Sequence, residues 1–274
     1  MRYIKLSFII PKKSDFSDIV VAKLNEIEFE SFVENSSGID AYIQEQFLIK
    51  ERLDSVITEM NNYFSFDYSV EILEQENWNK KWEENFEMVQ VNNDCVIRAK
   101  FHKKTDCKYD IIINPKMSFG TGHHETTFLM MNEMFNMNFK AKSVLDVGCG
   151  TGILSILAKK LGSIENLGID IDEWSYENSQ ENAKLNNINS INFLLGDASN
   201  INGKFDIILA NINRNIILSD IDKYISAMNQ DSDLILSGFL SEDVLIIQET
   251  CKIHGLALVS QKNKNKWNLL HFTN

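Results

Sequence analysis

Residues 143–161 read S-V-L-D-V-G-C-G-T-G-I-L-S-I-L-A-K-K-L. The apolar run Ser143–Val147 predicts a buried strand, and the three glycines that follow at alternate positions predict a sharp turn. Apolar side chains then recur at helical spacing from Ile153 to Leu161. This order is typical of a nucleotide-binding βα unit, in which the helix N-terminus directs free N–H groups at a ligand. The sequence therefore predicts an α/β domain built around this unit.

The spacing of the glycines argues against a dinucleotide cofactor. Gly148, Gly150 and Gly152 form G-x-G-x-G, and Ile153 stands where the dinucleotide fingerprint G-x-G-x-x-G needs its third glycine. The pattern D-x-G-x-G-x-G at a strand end resembles motif I of class I S-adenosylmethionine-dependent methyltransferases. In that family the glycine loop packs against the methionine part of the cofactor. A glycine-rich turn without a cofactor is the alternative that the loop alone leaves open.

The composition is that of a globular protein with a substantial core. The chain has 274 residues, of which 44% are hydrophobic, enough for one large domain or two ordinary ones. We expect neither a membrane span nor a signal peptide. Four scattered cysteines indicate free thiols in a reducing compartment, which we expect to be the cytoplasm. The net charge of −12 argues against direct binding of nucleic acid, which needs a basic face.

Residues 1–74 are predicted to form a separate small α+β domain. Their patterns indicate strands at 3–10, 29–34, 39–44 and 68–73 and helices at 16–27 and 49–64, the βαββαβ order of a ferredoxin-like domain. This segment contains no glycine loop and no cluster of catalytic residue types. We interpret it as a substrate-recognition domain, with a purely structural appendage as the alternative.

Residues 75–100 are predicted to link this domain to the rest of the chain. The segment N-W-N-K-K-W-E-E-N-F indicates a short helix with Trp78, Trp82 and Phe86 on one side. A hairpin over residues 89–99, turning at 92–94, is expected to follow.

Residues 101–274 alternate between strand and helix patterns, as in a mostly parallel, Rossmann-like sheet. A terminal antiparallel hairpin is expected over 256–272. The predicted strands are at 109–113, 143–147, 166–170, 191–195, 205–210 and 234–237, and the predicted helices are at 128–135, 153–161, 174–186, 214–228 and 241–253.

A second glycine loop, F-G-T-G-H-H-E-T-T at 119–127, precedes one of these helices. His123, His124 and Glu125 are residue types that bind zinc, but neighbours on a chain point in different directions and no further ligand set completes a site. We therefore predict no metal. The favoured interpretation is a loop that folds over a bound cofactor and offers hydroxyl and N–H donors.

Polar residues are predicted to meet at the carboxyl edge of the sheet, where ligands of open α/β folds bind. Asp170 ends the second strand, 22 residues beyond Gly148, and suits ribose hydroxyls. Asp172 is expected to cap the following helix instead. Asp197 follows the third strand and suits an adenine amino group. Asn211 follows the fourth and can hold the methionine end of a cofactor or an incoming amine.

Several motifs together resemble the ribosomal protein L11 methyltransferases. They are F-G-T-G-H-H-E-T-T, D-V-G-C-G-T-G, G-I-D-I-D, A-N-I and the linker pattern W-x-x-x-W-x-x-N-F. The resemblance spans both predicted domains and implies a class I methyltransferase fold, S-adenosylmethionine as cofactor and cofactor contacts at Thr127, Gly148, Asp170 and Asn211. It also implies that the small domain binds the ribosomal protein. One departure is that the family loop usually reads G-T-H-P-T-T, where this chain has G-H-H-E-T-T.

The resemblance implies transfer of methyl groups to lysine side chains and the N-terminal amine of ribosomal protein L11 from the large subunit. Gly150 of the glycine turn and Asp197 at the third strand end are added to these contacts. The expected cofactor-binding residues are therefore Thr127, Gly148, Gly150, Asp170, Asp197 and Asn211. No general base stands out, so no catalytic residue is assigned. We expect a monomer. The alternatives are a methyltransferase of this fold that acts on another protein or a small amine, and a non-catalytic or nicotinamide-binding Rossmann-type domain.

Overall fold

The computed structural model of the chain describes residues 2–9, 15–73, 86–116 and 118–274. The chain divides into two compact units, Met1–Trp82 and Glu83–Asn274. The helix predicted around Trp78 and Trp82 lies outside the described residues.

The first unit is a four-stranded antiparallel sheet with two helices, in the order β2-β3-β1-β4 across its described strands. Alternate side chains of the first strand, Ile4, Leu6 and Phe8, are buried in the core of this unit. The βαββαβ order and the strand arrangement confirm the predicted ferredoxin-like fold. The elements are β1 Tyr3–Ile9, α1 Asp15–Asn25, β2 Ser31–Asn35, β3 Gly38–Gln44, α2 Lys50–Asn61 and β4 Asp67–Leu73.

A small sheet opens the described part of the second unit. It contains β5 Val89–Asn92, β6 Cys95–Arg98 and β7 Tyr109–Ile112, with β5 and β6 paired as a hairpin and β6 parallel to β7. The guanidinium of Arg98 donates from Nε and Nη2 to the two carboxylate oxygens of Asp110, at 2.7 and 2.9 Å. This bidentate pair fixes β6 against β7, and the hairpin therefore belongs to the second unit.

The main sheet has seven described strands in the order β10-β9-β8-β11-β12-β14-β13. The first five are parallel and the last two form an antiparallel pair, which confirms the predicted fold class. Its strands are β8 Ser143–Val147, β9 Glu165–Asp170, β10 Asn192–Leu195, β11 Phe205–Asn211, β12 Met228–Leu240, β13 Ala257–Lys264 and β14 Trp267–Thr273. Its helices are α3 Glu125–Met134, α4 Ile153–Lys160, α5 Glu173–Leu185, α6 Arg214–Ser226 and α7 Val244–Ile253.

Hydrophobic cores cover both faces of this sheet, which explains why its central strands are almost continuously apolar. All five residues of β8 are buried. Two elements differ clearly from their predicted extents. Strand β12 begins at Met228, which pairs with Phe205, and regular pairing resumes at Asp233 after a register shift. The polar residues between these two points gave no hydrophobic signal for a strand. Helix α3 begins at Glu125, since the side chain of His124 caps it.

A buried charged cluster joins α3 to the edge of the sheet. His271 of β14 contacts Glu133 of α3 through Nδ1 and Asp233 of β12 through Nε2, both at 2.8 Å. Ser260 and Lys262 of β13 also bond to the Glu133 carboxylate. Burial alone would lower the pKa of His271, but the hydrogen bonds to Asp233 and Glu133 raise that pKa above 6.5. Burial would raise the pKa of Glu133, but bonds from Lys262, His271 and Ser260 lower it below 4.5.

We expect this cluster to make stability depend on pH. Because the pKa of His271 is higher in the folded than in the unfolded chain, its contribution is complete below pH 6.5 and is lost as pH rises through the raised pKa. Urea denaturation of the intact protein between pH 6 and 9 should therefore show a falling free energy of unfolding. In the variant His271→Gln the free energy of unfolding should depend less on pH. In His254→Gln, at a partly exposed site, the pH dependence should match that of the wild type. Equal pH slopes for the wild type and His271→Gln would contradict the cluster's role.

Candidate functional site

A cavity of about 530 Å³ lies at the carboxyl edge of the main sheet. This is the position at which open α/β sheets bind ligands. Residues at the ends of six strands line the cavity: Gly148, Asp170, Asp197, Asn211, Gly238 and Trp267. The residues that the sequence predicts at separate strand ends are thus brought together in one site.

Thr127 is the exception among the predicted cofactor-binding residues. Its side chain is fully buried in α3 and does not line the cavity, whereas its neighbour Thr126 does. The hydroxyl of Thr127 has no hydrogen-bond partner within the described residues. The same holds for two groups that do line the cavity, the Ser118 hydroxyl and the Asn211 carbonyl oxygen. Buried polar atoms without a partner are costly, so these groups fit a ligand that supplies hydrogen bonds.

The carboxylate of Asp170 is held in place by backbone N–H groups. Its Oδ2 accepts from Gly150 at 2.8 Å, and its Oδ1 accepts from Asp172 at 3.0 Å. Each oxygen keeps a further lone pair, so the pair of oxygens can still accept two hydroxyl groups. Asp172 caps α5 through the N–H of Trp174 at 3.0 Å, which confirms the capping role predicted for this acid.

Asp197 caps the short turn that follows β10. Its Oδ1 accepts the Ser199 N–H at 2.7 Å and also the Ser199 hydroxyl. These bonds lower the pKa of Asp197 below 3.8, so the carboxylate is ionised at neutral pH. Its second oxygen, Oδ2, accepts no hydrogen bond within the described residues and is available to a ligand's donor.

The acid within the glycine motif, Asp146, has a structural role. Its side chain is buried and accepts the N–H and the hydroxyl of Ser155, at 3.0 and 2.7 Å, in the first turn of α4. Burial raises the pKa of Asp146 to about 6, and the bonds from Ser155 oppose that rise. Asp146 does not line the cavity, so it anchors the helix rather than a ligand.

The glycines of the loop are required by contacts within the protein. Gly148 and Gly150 have φ of +66° and +53°, in the left-handed region. A Cβ on Gly148 would lie 2.3 Å from Cγ2 of Ile212, and one on Gly150 would lie 2.3 Å from the backbone oxygen of Phe119. At both positions the space that a Cβ would occupy is taken by the protein's own atoms.

The two glycine loops are bonded to each other through Thr151. Its N–H donates to the backbone oxygen of Phe119 at 2.9 Å, and its hydroxyl donates to that of Gly120 at 2.6 Å. The loop at 118–124 therefore forms one wall of the cavity together with the turn after β8.

A row of asparagines that sequence reasoning missed supports this connection between the two glycine loops. Asn182 accepts the N–H of Asn114 at 2.8 Å and donates to the backbone oxygen of Thr151 at 2.9 Å. Asn186 exchanges two bonds with the backbone of Ile112, at 3.0 and 2.6 Å. The available signal was the spacing of Asn178, Asn182 and Asn186, which places three amides on one helical face that turns inward.

His123 and His124 have separate partners. His124 accepts the Thr126 N–H at its Nδ1, and Nε2 of His123 lies 3.0 Å from the backbone oxygen of Glu87. Within the described residues, no group of three or more His, Cys, Asp or Glu side chains is arranged to hold a metal ion. No helix in the same part of the chain has the length and apolar character needed to cross a membrane.

The hydrogen-bonded connection between the two glycine loops at Thr151 can be tested through Asn182. We expect Asn182→Leu to lower the free energy of unfolding by about 2–4 kcal/mol, because it leaves the Thr151 carbonyl and the Asn114 N–H without partners. Hydrogen exchange over residues 118–122 should also become faster. The matched variant is Asn178→Leu, because Asn178 bonds to the Asn114 backbone only at 3.5 Å and shares one 3.2 Å bond with Asn182, so its effect should be smaller. Unchanged exchange in Asn182→Leu would show that the connection does not depend on this amide.

Comparisons with known proteins agree on one family. The family model described as "Ribosomal protein L11 methyltransferase (PrmA)" matches residues 12–274. A curated relative named ribosomal protein L11 methyltransferase, from Bacteroides thetaiotaomicron, is 43% identical over 281 residues, which cover 100% of both chains. A relative of the same name from Porphyromonas gingivalis is 42% identical and aligns with 100% of this chain and 98% of its own.

A solved structure shares the fold of this chain. The crystal structure of a ribosomal protein L11 methylase from Lactobacillus delbrueckii subsp. bulgaricus is 29% identical, with a TM-score of 0.64, and covers 68% of this chain and 98% of that one. Because the family model spans residues 12–274 and full-length relatives are 42–43% identical, the chain belongs to the ribosomal protein L11 methyltransferase family.

Proposed function

We propose that this protein transfers methyl groups from S-adenosylmethionine to lysine side-chain and N-terminal amines of ribosomal protein L11. The observation that carries the proposal is the cavity in which Asp170, Asp197 and Asn211 meet at successive strand ends. The family's printed name supports the protein substrate. The four cysteines are free thiols, which supports action in the cytoplasm, and we infer a monomer that does not bind nucleic acid directly.

The residues fit the cofactor part by part. Asp170 would accept the two ribose hydroxyls, because both of its oxygens keep a lone pair beyond their backbone bonds. Asp197 would accept the adenine amino group through its open oxygen. The unpartnered oxygen of Asn211 would accept an N–H from the methionine ammonium or from the incoming amine. When bound, the cofactor supplies a methyl group on a positively charged sulfur.

The contribution of the chain to the reaction is alignment and control of protonation. A lysine amine has a pKa near 10.4 in solution and must lose its proton before it attacks. Desolvation within the cavity favours the neutral amine. Holding amine and methyl group in line lowers the barrier without a dedicated base, so we assign none. Incubation with labelled S-adenosylmethionine and ribosomal proteins, followed by mass analysis, tests the reaction, and unlabelled L11 would refute it.

Asp170 provides a test of cofactor binding. We expect Asp170→Asn to weaken S-adenosylmethionine binding about 10- to 100-fold, because a neutral amide replaces a charged acceptor of the ribose hydroxyls. Calorimetric titration measures the dissociation constant. The control is Glu173→Gln, which changes a neighbouring exposed acid that does not line the cavity. An unchanged dissociation constant in Asp170→Asn would remove Asp170 from the cofactor site.

We also propose that the first unit recognises the protein substrate. Glu26, Glu28 and Glu34 are exposed there and could face a lysine-rich partner. Replacing all three by Gln should raise KM for folded L11 about ten-fold at low salt, with a smaller effect at high salt. KM for a short lysine peptide should not change.

The matched control removes three exposed acids from the second unit, away from the carboxyl edge. Those changes are Glu165→Gln, Asp231→Asn and Glu249→Gln. If both triple variants raise KM equally, overall charge rather than recognition by the first unit explains the result.

A further inference from the structure

Four carboxylates line the cavity at the carboxyl edge of the main sheet, and among the described residues of its wall none is Lys or Arg. They belong to Asp170, Asp172, Asp197 and Asp220. This lining suits the proposed cofactor, whose sulfur carries a positive charge, and it suits an incoming amine. A guanidinium, which stays charged in proteins, would compete with both if it entered the cavity.

Arg214 directly follows a residue of the cavity wall. That residue, Asn213, lines the cavity and caps α6, where its side-chain oxygen accepts the Ile216 N–H at 3.1 Å. Ile216, in the first turn of the helix, also lines the cavity. Arg214 lies between these two residues in the sequence but does not line the cavity, and 44% of its side chain is exposed. A long, flexible cationic side chain is therefore anchored beside an acidic site.

Three hydrogen bonds hold the Arg214 guanidinium outside the cavity. Its Nη1 donates to Oδ1 of Asp243 at 2.6 Å, and its Nε and Nη2 donate to the side-chain oxygen of Asn215 at 3.1 and 3.0 Å. Asp243 is buried, and its Oδ2 accepts the N–H of Leu240 at 3.2 Å. Neither Asp243 nor Asn215 lines the cavity. Within the described part of the chain, Asp243 is the one acid paired with Arg214, so its charge determines where the guanidinium lies.

The turn that carries Asp243 follows β12, and the end of β12 packs tightly against the cavity wall. Ile212 of that wall donates its N–H to the backbone oxygen of Ser237 at 3.1 Å. Gly238 has a φ of +96°, and a Cβ there would lie 2.3 Å from the backbone oxygen of Ile212. Desolvation of a buried carboxylate offsets much of its attraction to a cation. The pair of Asp243 and Arg214 therefore contributes the placement of the guanidinium more than stability.

We propose that Asp243 is a positioning residue that holds the Arg214 guanidinium away from the cavity and so preserves the affinity of the site for a positively charged sulfonium. The proposal rests on the methyltransferase function proposed above. A guanidinium released from Asp243 would be attracted by the carboxylates of the cavity and would repel S-adenosylmethionine. The product of methyl transfer, S-adenosylhomocysteine, has a neutral sulfur and one positive charge fewer, so the released guanidinium would repel it less.

The experiment is calorimetric titration of the full-length protein with S-adenosylmethionine and, separately, with S-adenosylhomocysteine. The measured quantity is the ratio of the two dissociation constants. Asp243→Asn should raise the dissociation constant of S-adenosylmethionine about ten-fold, the effect of a like charge about 12 Å away at an effective dielectric constant of about 20. That of S-adenosylhomocysteine should change by no more than about three-fold. The double variant Asp243→Asn/Arg214→Gln should restore the wild-type ratio, because it contains no released cation.

The control is Asp110→Asn, which removes the carboxylate from another Arg–Asp pair, with Arg98, that does not line the cavity. Its ratio should equal that of the wild type. Asp243→Ser is a second variant without the charge, so that poor folding of one variant does not decide the result. An unchanged ratio in the Asp243 variants, even with both affinities lowered, would overturn the proposal, as would a double variant that fails to restore the ratio. A wild type that binds neither ligand would instead refute the proposed function.

Discussion

The site depends on a single buried residue, Thr151, whose backbone and side chain make three hydrogen bonds to two different parts of the chain. Its N–H and hydroxyl hold the loop at 118–124, and its carbonyl is held by Asn182 of α5. Because Thr151 lies between two glycines with positive φ, the chain at this point has few side-chain contacts of its own to fix it. The hydrogen bonds therefore determine where the cavity wall stands, and through that loop they also determine where α3 begins.

The second constraint is the buried charged cluster around His271, which sets the position of α3 against β14. Glu133 near the end of α3 bonds to His271 of β14, while His124 at the start of α3 packs on Trp267 at the start of β14. The two elements are thus fixed at both ends. A buried ion cluster adds little net stability, because desolvation offsets much of the attraction, but its geometry is specific. In this protein that geometry aligns the aromatic residues of the cavity.

Much of this site could be predicted from the sequence, because parallel strands bring their carboxyl ends to one edge. Asp170 and Asn211 needed only their strand assignments to be placed beside the glycine turn. The asparagine row could not be predicted, since Asn182 and Asn186 bond to backbone 68 and 74 residues away and nothing local marks that pairing. Likewise, which of Thr126 and Thr127 faces the cavity depends on how α3 is rotated about its axis. Two adjacent threonines in a sequence carry no information about that rotation.

The distribution of charge along the cavity reconciles the attraction of a cationic substrate with the need for a neutral amine. Carboxylates attract a cationic substrate, but a carboxylate close to an amine also favours its protonated form, which cannot attack. Asp170 ends β9 and Asp197 follows β10, at one side of the sheet, and Asp220 is paired with Lys223 at 2.7 Å. The side of the site near β11 and β14 carries Asn211 and aromatic rings instead. Under the proposed function, long-range attraction would draw the ammonium toward the cavity, and the uncharged groups near β11 and β14 would favour loss of the proton from an amine bound beside them.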